Sequence, residues 1–228
     1  MAIIECRNVG KIYPGFENRA LDDVGFTVAE GSFVTITGRS GSGKTTLLNL
    51  LTGIDRPTSG DVVVAGQTLA AMNEKTLSRW RGRTIGVVFQ FFQLLPTLTV
   101  AENVLLPMEF CSVGRPADRL KRVRNLLDEL GIADQADKLP GALSGGQQQR
   151  AAIARALAND PPVLAADEPT GNLDTQTSET VLSIFSSLAA RGKTIVMITH
   201  ESEYESYATH SIHLKDGRIV ENREVSRG

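Results

Sequence analysis

Residues Gly38-Arg-Ser-Gly-Ser-Gly-Lys-Thr45 constrain this chain more than any other segment. They fit the pattern G-x-x-x-x-G-K-[ST], after an apolar run, Ser32–Thr37, and before a helical run, Thr46–Leu51. The glycines let backbone N–H groups turn inward around phosphate oxygens, and the helix start behind them adds free donors and a favourable dipole. Lys44 is placed to reach β- and γ-phosphates, and the Thr45 hydroxyl to hold Mg²⁺. Such a loop needs a strand before it and a helix after it, so the chain is expected to be α/β. The motif alone specifies only a nucleoside triphosphate.

Four segments are apolar continuously instead of alternating, as parallel strands buried on both faces are. They are Ser32–Thr37, Thr84–Phe89, Val163–Asp167 and Thr194–Thr199. Helices are expected over Asp118–Leu130, with Gly131 as its stop, and over Thr175–Ala190, because apolar residues recur at three- and four-residue spacing. The first thirty residues and Asp61–Leu69 read as short β-prone pieces split by turns at Asp22-Asp23 and Ala65-Gly66, hence a small antiparallel sheet. The mostly helical stretch from about Phe91 to Asn159 lies between two core strands and is an insert. The expected division is a single domain, 1–228. Residues 1–30 and 56–75 form antiparallel β structure, 31–55, 80–90 and 159–228 the core, and 91–158 the helical insert.

Composition closes off other classes. Charged residues make up 22% and the net charge is −2, so no bulk field draws the chain to nucleic acid. Cys6 and Cys111 lack metal-ligand spacing and read as reduced thiols. The N-terminus carries no basic-then-apolar leader, and no apolar run approaches the roughly 20 residues of a membrane helix. If the protein serves a membrane, another chain spans it.

Two further segments carry chemistry. The strand Val163–Ala166 ends in Asp167-Glu168. Asp167 at the strand tip suits a Mg²⁺ ligand, and Glu168 can polarise a water for in-line attack on a γ-phosphate. Leu143-Ser-Gly-Gly-Gln-Gln-Gln-Arg150 is a second glycine-rich helix start, with Ser144 as a cap. One phosphate loop already encloses one triphosphate. The second fits a nucleotide held by another subunit, or else an ordinary capped helix. His210 and His213 fall in an alternating, strand-like segment and match no motif.

Taken in order, these segments resemble the ATP-binding-cassette (ABC) ATPase family along nearly the whole chain. LSGGQ, Leu143–Gln147, is that family's signature, and Ser144 precedes Asp167 by 23 residues. Gln90, closing TIGVVFQ, matches the Q-loop glutamine; Asp174, in Gly171-Asn-Leu-Asp174, the D-loop aspartate; His200 the switch histidine; Tyr13 the aromatic that stacks on adenine. The resemblance implies a P-loop NTPase (RecA-like) core with a mainly parallel sheet, an N-terminal antiparallel β subdomain and an inserted α-helical signature subdomain. It implies ATP and Mg²⁺ as cofactors. The implied ATP-binding set is Tyr13, Gly38, Arg39, Ser40, Gly41, Ser42, Gly43, Lys44, Thr45, Thr46, Ser144, Gly145, Gly146, Gln147 and Asp174. Thr45, Gln90 and Asp167 are the implied Mg²⁺ ligands, and Glu168, His200 and Gln90 the implied catalytic groups. Ser144, Gly145 and Gly146 would contact ATP bound to the opposite subunit of a homodimer.

DEPTGNLD at Asp167–Asp174, LSGGQQQR, the stretch Phe91–Pro107 and the short chain are similar to the lipoprotein-releasing and macrolide-export group, often called LolD- and MacB-type. That implies an ATPase subunit, peripheral on the cytoplasmic face of the cell membrane, driving a separate integral membrane permease. The alternative is a regulatory ATPase of a non-transporting, cell-division-type complex. Soluble relatives of DNA repair or translation carry long coiled coils or two cassettes, which this sequence lacks. Phe91, Phe92, Leu94, Leu95, Leu98 and Val100 crowd behind Gln90, interrupted by Pro96. Half or more are expected to pack inside the insert, and the rest to form a surface for the membrane partner.

Overall fold

The structure is a computed structural model that describes residues 1–15 and 18–225. In chain order the elements begin with β1 (Ala2–Lys11), β2 (Leu21–Ala29), β3 (Phe33–Thr37), α1 (Lys44–Leu51), β4 (Ser59–Val64) and β5 (Gln67–Thr68). Then come α2 (Glu74–Thr84), β6 (Ile85–Val88), α3 (Val100–Phe110), α4 (Pro116–Glu129) and α5 (Gly145–Leu157). The chain continues through β7 (Val163–Asp167), α6 (Thr175–Ala190), β8 (Thr194–Ile198), β9 (His210–Lys215) and β10 (Arg218–Glu224).

Two sheets form. One has the order β2-β1-β4-β5, all antiparallel; the other has the order β10-β9-β3-β8-β7-β6, parallel from β9 to β6 with β10 added antiparallel. The continuous apolar runs are explained by two cores, one on each face of the larger sheet. Phe33, Leu164, Ala166, Ile195 and Met197 point into a core shared with α3, α4, α5 and α6, where Phe33 meets Phe185 edge to face at 6.3 Å. Their neighbours Val34, Ile36, Val163, Ala165, Val196 and Ile198 point into the other core, with α1 and the antiparallel sheet. Side chains alternate between faces, but both faces are dry, so the sequence shows no alternation. The expected bounds of the four core strands hold to within one residue, and α3, α4 and α5 stand between β6 and β7 as an insert.

The antiparallel sheet differs from expectation in one place. Asp22 and Asp23 do not end a strand; they lie inside β2, which runs unbroken beside the ten-residue β1. The chain absorbs them as a bulge: Asp23 has φ +54° and the register shifts between Val9 and Lys11. The carboxylates have partners there. Asp22 accepts from Arg19 at 2.6 Å and from Arg218 Nε at 2.9 Å, and Asp23 accepts from Asn8 at 2.8 Å. The turn at Ala65-Gly66 forms as expected, both residues at positive φ between β4 and β5.

Strand β6 meets α5 at its closest where a glycine stands. A Cβ on Gly86 would lie 2.3 Å from the carbonyl oxygen of Ala156. Gly86→Ala is therefore expected to cost about 1–3 kcal/mol by overpacking. In a chain of this size that lowers the thermal midpoint by about 2–4 °C per kcal/mol. An unchanged midpoint would show that α5 floats on the sheet instead of being seated on it.

Candidate functional site

The C-terminal ends of β3, β6, β7 and β8 open on one edge of the parallel sheet, and the chemistry predicted from the sequence gathers there. Open α/β sheets bind ligands at this edge, where the strand order reverses. After β3 the chain forms the loop Gly38–Gly43. Gly43 takes φ +101° at the N-cap of α1, and no side chain caps that helix. A Cβ there would lie 2.4 Å from the carbonyl oxygen of Ala20, so only glycine fits. The first-turn N–H groups of α1 are left as free donors beside a cleft of about 610 Å³. The loop residues Ser40, Gly41 and Gly43, Lys44, Thr45 and Thr46 of α1, and Glu168 and His200 line it, together with Ala20, which sequence reasoning missed.

Lys44 is buried, and its Nζ donates to the carbonyls of Gly38 at 2.9 Å and Arg39 at 3.0 Å. These partners are neutral, so the charge is held without a carboxylate in direct contact. Asp167 stands close to it. Burial pushes the Asp167 carboxyl above the usual carboxylate range, a hydrogen bond from Thr45 opposes this, the charge of Glu168 adds to it, and Lys44 opposes it. The Thr45 hydroxyl and the Asp167 carboxylate, joined by a hydrogen bond, are hard oxygen donors, which suit Mg²⁺ better than a soft metal.

Glu168 adopts φ +44°, a strained conformation for a side-chain-bearing residue, and its N–H donates to the Ile198 carbonyl at 3.1 Å. The turn aims its carboxylate at His200, whose Nδ1 lies 3.4 Å from Oε1. Gly171 packs between Gln90 and Glu168: a Cβ there would lie 3.1 Å from Gln90 Nε2 and 3.6 Å from Glu168 Oε2. Asn172 Nδ2 donates to the Gln90 carbonyl at 3.0 Å, a tie that spacing in the sequence did not reveal. Tyr13 sits at the rim, its hydroxyl 3.5 Å from Thr46 Oγ1 and its ring 4.8 Å from Lys11 Nζ.

Other predicted residues lie away from this cleft within one chain. Arg39 and Ser42 line an adjoining concavity of about 470 Å³ on the other side of the loop, with His213, Lys215 and Asp216, and Ser40 and Gly41 line both. Gly38 packs against the Leu214 backbone. Ser144 caps α5 in a reciprocal box, its Oγ accepting from Gln147 N at 3.3 Å while Gln147 Oε1 accepts from Ser144 N at 2.9 Å. Asp174 caps α6, accepting from Thr177 N at 2.9 Å and Oγ1 at 2.7 Å, and these bonds hold its carboxyl below the usual range. Ser144 and Gly146 share a small concavity of about 200 Å³ with Arg150, Gln176 and Thr177, and none of these residues lines the first cleft. Gly145 packs near Phe92, Leu173 and Asn172, which seats the start of α5 on the segments after Gln90 and Glu168. His213 bonds Thr37 through Nδ1 at 3.0 Å, and His210 bonds Asn222, as structural histidines do. In the segment behind Gln90, Phe91 and Leu95 are exposed, Phe92, Leu94 and Leu98 are half-buried, and Val100 is buried.

Comparison with known proteins agrees with this geometry. The family model described as ABC transporter matches residues 21–171. The lipoprotein-releasing system ATP-binding protein LolD of Aquifex aeolicus is 46% identical over 219 residues, 96% of each chain. The macrolide export ATP-binding/permease protein MacB 1/2 of Paracoccus denitrificans is 43% identical over 226 residues, which are 98% of this chain and 34% of that one. The dimeric post-hydrolysis structure of the ATP-binding cassette MJ0796, bound to ADP and Pi, superposes with a TM-score of 0.90 at 39% identity, covering 98% of this chain and 99% of that one.

The raised pKa of Asp167 gives a stability prediction. The unfolded chain releases this proton more readily than the folded one does. The group therefore supports folding at low pH, and that support is lost as pH rises through its folded value. In neutral, chelator-containing buffer without nucleotide, Asp167→Asn should raise the thermal midpoint. The gain should shrink as pH falls towards the ordinary aspartate value of about 3.9. A midpoint that drops at neutral pH would show that the Thr45 and Lys44 interactions outweigh burial.

Proposed function

Because the chain belongs to the ABC transporter family of ATP-binding proteins, we propose that it is an ATP-hydrolysing subunit that drives a separate membrane protein in lipoprotein release or export. In this reading the whole chain, 1–228, is a single ABC ATPase domain, with the β, core and helical divisions drawn from its sequence. It works at the cytoplasmic face of the membrane. Among the described residues no helix is long and apolar enough to cross one.

One observation carries the reading. The phosphate loop, Glu168 and His200 converge on one cleft, while Ser144 and Gly146 face a different one. The second glycine-rich start is thus free to serve a nucleotide held by another copy, and a homodimer with two nucleotides between its subunits satisfies both faces. Within each site Lys44 and the α1 N–H groups would bind the β- and γ-phosphates. Thr45, Asp167 and Gln90 would hold Mg²⁺, which neutralises charge on the phosphate oxygens. Glu168 would accept a proton from the attacking water and His200 would hold the Glu168 carboxylate in place. Tyr13 would stack on adenine. The exposed Phe91 and Leu95, covalently continuous with Gln90, would meet the membrane partner.

Glu168→Gln should keep ATP binding while turnover falls at least about a hundredfold, since an amide is not a base. With ATP the variant should elute from gel filtration as a dimer. Near-normal turnover would remove Glu168 from the reaction, and a monomer at saturating ATP would remove the sandwich. Tyr13→Ala should weaken nucleotide binding by roughly 1–3 kcal/mol, the range of base–aromatic stacking, and leave the maximal rate nearly unchanged. An unchanged KM for ATP would make Tyr13 a loop residue only.

A further inference from the structure

Tyr13 stands just beyond the end of β1, in a stretch of chain pinned to the segment that follows α1. The Thr58 N–H donates to the Gly10 carbonyl at 2.8 Å, and the Ile12 N–H donates to the Thr58 hydroxyl at 3.1 Å. From between these two ties Lys11 reaches the same segment. Its Nζ donates to Asp55 Oδ1 at 2.6 Å and to the Arg56 carbonyl at 2.8 Å. The same ammonium lies over the Tyr13 ring, 4.8 Å from the centroid. The Lys11 side chain is 11% exposed, so this is not the loose contact of a freely hydrated surface lysine.

Asp55 is fixed in its turn. The N–H groups of Ile54 and Asp55 donate to the Asn49 carbonyl of α1 at 2.9 and 3.1 Å, and the Arg56 N–H donates to the Asp55 carboxylate at 2.7 Å. Burial alone would push this carboxyl up. Hydrogen bonds from Lys11 and the Arg56 N–H, the Lys11 charge and a weaker bond from the Tyr13 hydroxyl outweigh burial and hold it below the usual range. Asp55 therefore meets Lys11 as an anion. The Tyr13 hydroxyl also lies 3.5 Å from Thr46 Oγ1 on α1. One helix thus governs both ends of the proposed nucleotide site: its N-terminus carries Lys44 and Thr45, and the segment at its C-terminus fixes the lysine that covers the tyrosine ring.

We propose that Lys11 and Asp55 are positioning residues for nucleotide binding: their ion pair holds one face of the Tyr13 ring under the Lys11 ammonium and presents the other face to the base. This role rests on the reading that Tyr13 stacks on adenine, and it names what turns a loop tyrosine into a platform. A ring free to turn must be ordered at each binding event; a braced ring is ordered already.

ATP affinity and turnover are measured on the intact protein. Lys11→Met keeps the length of the side chain and removes its charge. It should raise KM for ATP about threefold or more, the scale of a partly desolvated cation–π contact, with the maximal rate within about twofold of the unchanged protein. Inorganic tripolyphosphate, which has the phosphates and no base, should inhibit both proteins equally. Lys11→Arg keeps a cation for Asp55 and for the ring and should recover most of the affinity. Adding Lys11→Met to Tyr13→Ala should weaken ATP binding no further, because the platform is already gone. If Lys11→Met alone is unstable, Lys11→Met with Asp55→Asn removes both charges together and leaves neither unpaired, and the same values are expected of it. An unchanged KM in the Lys11 variants, with KM raised in Tyr13→Ala, would overturn the brace and leave the stacking reading standing. A loss of affinity shared by tripolyphosphate, or one that adds to the loss in Tyr13→Ala, would show that Lys11 acts elsewhere and would also overturn the brace. An unchanged KM in Tyr13→Ala would overturn both.

Discussion

A parallel strand buried on both faces can present polar chemistry only at its ends. Strands β3 and β8 are buried along their whole length between two apolar cores, and β7 is buried up to its last residue. Each strand therefore delivers its site groups at or just beyond its C-terminus: the glycine loop after β3, Gln90 shortly after β6, Asp167 and Glu168 at the tip of β7, His200 after β8. Because the four strands are parallel, these loops meet on one edge without any long-range contact arranged for the purpose. The site is a consequence of a dry sheet.

That edge is electrostatically unfinished. Helices α2, α3, α5 and α6 begin under the side-chain caps Asn73, Thr99, Ser144 and Asp174 and α4 begins with Pro116, which has no N–H to satisfy, whereas α1 begins under a glycine. Lys44 is buried on neutral carbonyls, and Asp167 is half-buried beside a second acid. In the proposed function a bound triphosphate with its metal would supply the missing anion to α1 and Lys44 and the missing cation to Asp167. The contrast also separates the two glycine-rich starts. The N-terminus of α1 is free as it stands. Ser144 Oγ is already engaged by Gln147, so contact with a phosphate in another subunit would be exchanged against the capping bond at little net gain in hydrogen bonds.

Much of this was legible in the sequence because it rests on local signals. The phosphate loop, the unbroken apolar runs and the acidic pair at a strand tip are each contained within ten residues, and each lies where expected. What was not legible depends on contacts between distant segments. Asp22-Asp23 looked like a turn because both residues favour turns; Arg218, far along the chain, and Asn8 make them tolerable inside a strand. The positions of Arg39 and Ser42 beside His213 depend on β9 lying against β3. Asn172 stood in the sequence only as one residue of the segment Gly171–Asp174, and its bond to the Gln90 carbonyl spans 82 residues. The half-packed state of the segment behind Gln90 was foreseeable from its apolar density, but which side chains stay outside is decided by the helices that cover the others.

The segment behind Gln90 is held at three points, one in the loop after Glu168 and two on α5. Asn172, in the loop after Glu168, grips the Gln90 carbonyl; Arg155 of α5 grips the carbonyls of Phe92 and Gln93; Phe92 itself packs near Gly145 at the start of α5. Phe92 and Gln93 both take positive φ, so this turn is strained and depends on those grips to persist. A shift of Gln90 towards a nucleotide therefore cannot be absorbed within the turn. Through Asn172 the turn is tied to the loop carrying Glu168, and through Arg155 and Gly145 to α5 with its capped start at Ser144. Packed elements with few alternative arrangements transmit displacement instead of dissipating it. The cleft, the face proposed for a second copy and the surface proposed for a membrane partner are thus joined through one strained turn of a few residues.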